Sequence, residues 1–454
     1  MKHPQSPWWW VPTLYFAEGI PYFIVNNISV TMFTKMGVPN GEMALFTSLL
    51  YLPWTIKPLW SPFVDIIKTK RWWILAMQLL MSAAFILLTL TIPHPSAAVI
   101  ASGHTPIHLF TITLLLFIIT AFASATHDIA ADGYYMIALE QKQQATFVGI
   151  RSTFYRIASV FGQGVIVVLA GVLEERLGAI PRAWSITLLA SAVLFGLITL
   201  WHTRFLPKAE SPDGSGPSEA VLPDSVGRAD SPIAENEQLP SSETKRIFRE
   251  FGQAWVTFFK KPGVWLAIAF MLLYRLPEAF SVKMLTPFLL DPVESGGLGL
   301  STAQSGLVYG TVGVIALTVG GILGGLYAAK FGLRRSMWPM SMALALPCAV
   351  YLVLAAVQPT ALWSIFLLVA IDQFGYGFGF TAYMLYMMQF SEGSFKTSHY
   401  AICTAFMALS MMVPGLFAGW MQEALGYVGF FIVVMLCCLA TITVTFFARR
   451  RCLS

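Results

Sequence analysis

Along this chain, apolar stretches of about 20 residues recur between Trp8 and Phe447, each long enough to cross roughly 30 Å of hydrocarbon as a helix. Pro, Gly and charged residues punctuate them. Twelve spans are read, at residues 9–34, 43–66, 72–92, 107–138, 145–174, 183–204, 263–290, 302–330, 335–357, 361–390, 398–424 and 427–448. Between the sixth and seventh the pattern breaks down. "KAESPDGSGPSEAVLPDSVGRADSPIAENEQLPSSE" is rich in Pro, Ser, Gly and acid and lacks the apolar surface to order itself. This predicts a six-helix unit over 1–204, a cytoplasmic linker over 205–262 and a second six-helix unit over 263–454. At the linker's end, "KRIFREFGQAWVTFFKK" places Ile247, Phe248, Phe251, Trp255, Phe258 and Phe259 on one side. Two readings are open for it: a helix lying in the membrane interface, or a cytosolic extension of the seventh span.

The loops between spans predict orientation. With the N-terminus inside, the inner loops and tails hold Lys2, Lys68, Lys70, Arg71, Lys142, Lys330, Arg334, Arg335, Lys396 and Arg449 to Arg451. Outer loops hold only Lys35, Arg176 and Arg182. The positive-inside rule then predicts both termini in the cytoplasm. "MKHPQSPWWW" has no small-residue cleavage site, so the first helix is expected to be the insertion signal.

The two halves also echo each other. "GVLEERLG" (Gly171 to Gly178) aligns without gaps on "GWMQEALG" (Gly419 to Gly426), and "SPFVDIIKTKR" (Ser61 to Arg71) on "GLYAAKFGLRR" (Gly325 to Arg335). Phe122/Phe374 and Tyr134/Tyr386 fall in register in the fourth and tenth spans. This 6+6 parallel repeat resembles the major facilitator superfamily, whose substrates lie between the halves near the midplane.

Composition supports a bilayer solvent: 56% of 454 residues are hydrophobic, 11% charged, and mean hydropathy is +0.68. The net charge of +5 is spread over helix ends rather than gathered into a basic patch, so no nucleic-acid partner is expected. Five cysteines (348, 403, 437, 438 and 452) show no metal-ligand spacing, and neither a metal nor a cofactor is expected. No Ser, His and acid set converges near the midplane, which argues against an enzyme.

Ionisable residues deep in the spans carry the chemistry. A charge at the bilayer centre costs several kcal/mol, so it needs a partner or a watery cavity. Glu18, Lys57, Asp128, Arg156, Arg275, Glu278 and Asp372 lie near mid-depth. In "ATHDIAADGYYMIAL", Asp128 and Asp132 share a helix face that must point inward. Counted from Lys142, Asp128 and Arg156 are each 14 residues away, and Asp132 and Arg151 are 10 and 9. Each acid thus has a base at matched depth on the next helix. Asp132 with Arg151 reads equally as a structural pair or a functional one, while the deeper Asp128 and Arg156 favour work in a cavity. Ser152, Ser159 and Gln163 lie within about 60° of Arg156 around its helix, a polar stripe suited to a hydrophilic ligand.

His127 is read as a packing or hydrogen-bonding residue that could also carry a proton. Glu18 precedes "GIP" and Glu278 follows "RLP", so both acids are expected beside helix breaks. Arg275 and Glu278, three apart, can pair along their own helix. Lys57, between Pro53 and Pro58, needs an anion: Glu18, an Asp or a substrate. Asp65, beside Lys68, Lys70 and Arg71, is read as a gate lock, and Arg334 and Arg335 occupy the matching turn of the second half. "FGYGFGFTAYMLYMM" is read as close helix packing ahead of any role for Tyr376, Tyr383 or Tyr386.

"KPLWSPFVD", "HDIAADGYY", "STFYRIASVFGQG", "LLYRLPEAF", "FGYGFGFTAY" and "GLFAGWMQEALG" resemble the AmpG muropeptide permease family, a branch of the major facilitator superfamily. The likeness runs from about Gly19 to Tyr427 and skips the linker. It implies an all-α polytopic fold of twelve transmembrane helices in two pseudo-symmetric six-helix bundles. It also implies proton-coupled import of anhydromuropeptides across a bacterial inner membrane by a monomer. Lys57 through Asp65, Asp128 through Gly133, the pair Tyr155 and Arg156, and Arg275 through Glu278 match the family's motifs. Pro277 stands where the family has Gly, and "DIAADG" also resembles the related acetyl-CoA transporters, so an acyl-CoA is the alternative cargo.

Overall fold

A computed structural model describes residues 6–208, 241–393 and 395–451, and these are almost wholly helical, with no strand among them. The linker expected over 205–262 falls mostly outside the described residues. Nine helices among the described residues are long and apolar enough to cross a membrane. That is fewer than the twelve spans read from hydropathy, and local geometry explains the difference. Residues 11–35 form three pieces, with a π-helical turn Ile24–Ile28 between Val11–Phe23 and Ser29–Lys35. Residues 40–66 are chopped into Asn40–Leu49, Leu52–Ile56, a 3-10 turn Lys57–Leu59 and Ser61–Ile66. Pro53, Pro58 and Pro62 each lack the N–H that would continue the helix before them. At the other end, Lys396–Arg451 is continuous in helical bonding but turns a corner at Gly426, whose φ of 67° suits a residue without Cβ.

Leu79, Leu90, Leu200, Trp363 and Leu436 are exposed on the outside of the bundle, as a lipid-facing belt requires. Inside the first half, Lys70–Thr91 packs on Thr111–Ala138 and Ile180–Phe205, while Val11–Phe23 lies along Gln141–Val160. In the second half, Leu362–Phe390 is gripped on two sides by its own glycines. A Cβ on Gly377 would strike the Leu317 carbonyl, and one on Gly375 or Gly379 would strike Ala343 or Met340 of Leu333–Ala345. "FGYGFGF" is therefore a double packing surface.

The helix Ser241–Lys260 is separate from Val264–Leu273, because Gly263 adopts φ 73° between them. The two are therefore not one continuous helix. Phe258 is fully buried against Phe390, Phe406 and His399. Ile247 and Phe248 lie outside the residues whose side chains are described.

Two ends of the bundle can be told apart. At the terminal end, Trp9 stacks on Phe205, and Arg449 donates to the Arg334 carbonyl. At the far end the two halves of the chain touch closely. Asn40 donates to Asp291 (3.1 Å) and Gln422 (2.9 Å), the Gly41 N–H donates to Glu423 (2.7 Å), and Thr302 donates to Glu174 (2.5 Å). Added Cβ atoms at Gly171, Gly310 or Gly419 would each collide with backbone of the opposite half.

Candidate functional site

Mid-depth charge collects where the broken second segment passes the helix Thr111–Ala138. The 3-10 turn carries Lys57 into a salt bridge with Asp128. Glu18 is buried near this pair, and its Oε2 finds no partner. One helical turn toward the terminal end, Asp132 accepts from Arg151 (2.8 Å) and from the Tyr15 hydroxyl (3.1 Å). The Arg151 guanidinium sits 4.5 Å from the centre of the Tyr15 ring.

Asp128 does not pair with Arg156 at matched depth. Counting residues fixes height along a helix but not direction around it, and Asp128 faces Lys57. Arg156 points away from it, across to the second half, where it donates to Thr318 Oγ1 at 3.5 Å. No carboxylate pairs with Arg156 among the described residues. Beside it, the Tyr155 ring packs 5.7 Å from that of Phe23. Gln163 donates to Ser159 Oγ (2.8 Å) and lines a small cavity with Asn27, Thr31, Thr286 and Tyr309, whereas Ser152 is exposed.

Arg275 and Glu278 do pair along their own chain. The helix stops at Leu273 and restarts at Leu276, with Pro277 in its first turn, so the expected break lies at this pair. The bond is two-pronged (2.8 and 3.0 Å), and Arg275 also donates to the Tyr376 hydroxyl (2.8 Å) and lies over Phe380. Near Glu18 the expected break is displaced: the helix runs through Pro21, and the irregular turn begins only at Ile24. Asp372 stands apart from the other charges, accepting from Tyr351 (2.6 Å) and Gln373 (3.0 Å) within the second half.

At the terminal end, Arg71 donates to the carbonyls of Thr203 and Leu206 and so caps the helix Ile180–Phe205. Arg334 and Arg335 are exposed. Asp65 lies in Ser61–Ile66, and its side chain is outside the described residues.

Three features escaped the sequence reading, which identifies His127 as a packing or hydrogen-bonding residue but not its partners. His127 belongs to a buried chain in which Gln78 bridges it (2.9 Å) to His202 (2.8 Å), and His202 reaches Thr13 (2.9 Å). Asp291, Glu174 and Glu423 tie the far end together. Each sits near a span boundary, where charge is unremarkable. Lys283 lies within the seventh span, 5% exposed, and donates to Thr47 Oγ1 of the first half (3.1 Å). Its depth, seven residues from Leu290, was the available signal. No group of three or more metal-ligating side chains occurs among the described residues.

A family model described as the Major Facilitator Superfamily matches residues 13–396. A Haemophilus influenzae protein of unassigned function is 23% identical over 430 residues, covering 92% of this chain and 88% of the relative. The anhydromuropeptide permease of Escherichia coli K12 is 24% identical over 425 residues, covering 92% of this chain and 74% of the permease. Among solved structures, an inward-facing bacterial homolog of the human lysosomal transporter Spinster superposes with TM-score 0.66 at 15% identity. That match spans 99% of this chain and 98% of the homolog, a likeness of fold.

Proposed function

This chain belongs to the Major Facilitator Superfamily, and on that premise we propose that it is a proton-coupled importer of anhydromuropeptides. It is a multi-pass membrane transporter. In the proposed reading its two six-helix halves, 1–204 and 263–454, rock about the seam between them. The terminal end faces the cytoplasm and the far end the periplasm of a bacterial inner membrane. The name of the Escherichia coli relative supports the cargo.

The observation that carries the reading is Arg156, a base at the seam with a hydroxyl, not a carboxylate, as its neighbour. A bulky anionic solute supplies the missing charge. Lys57, Asp128 and Glu18 form the proton-handling cluster: two neighbouring buried carboxyls hold one proton between them, and its arrival or loss changes the grip of Lys57 on Asp128. Arg275 with Glu278, Tyr155 and Gln163 complete the polar lining, and Asp372 serves the second half. Asp65, Arg71, Asp132, Arg151, Arg334 and Arg335 act at the terminal-end gate or hold helix ends.

Uptake into inverted and right-side-out vesicles tests this. N-acetylglucosaminyl-anhydromuramyl peptide should accumulate under an inward proton gradient, and Asp128→Asn or Arg156→Ala should abolish uptake while leaving insertion intact. Gradient-independent uptake, or wild-type transport by both variants, would refute it. Competition by CoA thioesters would redirect the assignment to an acyl-CoA carrier.

A further inference from the structure

Lys283 poses a separate physical problem. It is buried against the first half, and no carboxylate pairs with it or acts on it among the described residues. An ammonium taken out of water without a counter-ion is costly, and one neutral hydroxyl, Thr47 Oγ1, does not offset it. The Tyr51 ring lies 5.5 Å from the ammonium and adds a weak attraction only.

The surroundings contain further unsatisfied polar groups. Lys283 lines a small cavity with Asn26, Asn27, Tyr51 and Thr286. Asn26, 2% exposed, donates through Nδ2 to the Tyr22 carbonyl (3.1 Å), but its Oδ1 has no partner. The buried Ser48 hydroxyl also lacks a partner, and it flanks Gly415 together with the Lys283 stem. The site therefore offers one positive charge, an idle hydroxyl donor and an idle amide acceptor, contributed by both halves.

We propose that Lys283, Ser48 and Asn26 form a subsite for the carboxylate of a peptide-type acid, which carries an amide N–H one carbon from its charge. The carboxylate takes the Lys283 ammonium and the Ser48 O–H, and the N–H satisfies Asn26 Oδ1. A single lysine with neutral neighbours balances one negative charge, whereas a phosphate dianion would leave a second charge buried and unpaired. The subsite is nearer the far end than Arg156. It rests on the reading that the seam carries a solute, and it adds which group of that solute is held there.

The test uses the full chain in lipid nanodiscs. Binding of N-acetylglucosaminyl-anhydromuramyl peptide is compared with binding of the same molecule whose peptide carboxylates are converted to carboxamides. The wild type should prefer the acid by roughly 10- to 100-fold, the range of a charge-assisted hydrogen bond, and Lys283→Met should bind both forms alike. Equal binding of both forms by the wild type overturns the subsite. If neither form binds, the muropeptide reading fails on its own. The subsite is then judged by acylation of Lys283 with a small amine-reactive reagent, followed by mass spectrometry. N-acetyl-dialanine should protect Lys283 and its C-terminal amide should not. Equal effects of the two, or none, overturn the subsite whether or not Lys283→Met folds.

Discussion

Arg275 and Glu278 allow burial and function to be separated quantitatively. Both are 5% exposed and joined by two short hydrogen bonds, with Tyr376 and Phe380 closing over the guanidinium. Glu278→Leu leaves a guanidinium among aromatic rings, and removing one partner of such a pair costs about 3–5 kcal/mol. Arg275→Met strands the carboxylate in the first turn of Leu276–Leu290, where the helix dipole returns about 0.3–1 kcal/mol, so its cost falls at the lower end. Combining Arg275→Met with Glu278→Leu removes both charges and should bring stability back to within about 1–2 kcal/mol of wild type. The assay is unfolding in mixed micelles titrated with SDS, analysed as a double-mutant cycle. Single variants costing under about 1 kcal/mol, with no coupling between them, would mean a solvated pair and refute the burial argument. Loss of muropeptide uptake in the stable double variant would then assign the pair to transport as well as to folding.

Other expectations concern the seam and the buried histidines. Asp291→Ala removes the acceptor shared by Asn40 and Tyr427 and should open the far end by about 1–3 kcal/mol, read as roughly tenfold or faster thiol labelling at Ala303→Cys. Unchanged labelling would mean these bonds do not hold the halves together. Gly310→Ala places a methyl against the Gln163 carbonyl, so labelling at the same cysteine should rise although no polar bond is lost; wild-type labelling would contradict the packing. Gln78→Leu strips the bridge between His127 and His202 and should destabilise the fold by about 2–4 kcal/mol, measured by the same SDS titration. No loss of stability would show that the histidines find other partners.

How much was legible depended on which coordinate a sequence carries. Height along a helix is a residue count, so Asp132 with Arg151 could be read in advance, as could Arg275 with Glu278, whose i,i+3 spacing also fixes direction. Asp128 with Arg156 failed because direction around a helix depends on how neighbours rotate against each other. Lys57 reaches Asp128 only because prolines on either side turn it out of regular helix. The glycine run of Leu362–Phe390 was readable, since alternating small residues on two faces have few uses other than close approach. Lys283 and the far-end acids were hidden for the opposite reason. A charge within two turns of a span boundary looks like an ordinary interfacial residue until the partner half is seen to cover it.

The π-helical turns were illegible in principle, because no residue type marks them, yet they organise the seam. Ile24–Ile28, Phe161–Ile166 and Gly306–Gly313 lie in three different spanning segments, and Phe161–Ile166 packs against both of the others. Each inserts extra residues into the helical count and so rotates the later turns of its segment relative to the earlier ones. Before its turn, the helix Gln141–Val160 sends Arg156 toward Thr318. After it, Val167–Leu177 presents Gly171 to Ala303, with no room for a side chain. Fifteen residues apart, these two positions would lie roughly 60° from each other around a regular α-helix, so the turn adjusts the phase between them on a face they already share. The turns themselves contribute Asn26, Asn27, Gln163 and Tyr309 to the two small cavities. The glycines at 162, 164 and 310 let three widened helices meet there without forcing the halves apart. The same irregularity that defeats a count of residues is thus what places polar groups and close packing on a single seam.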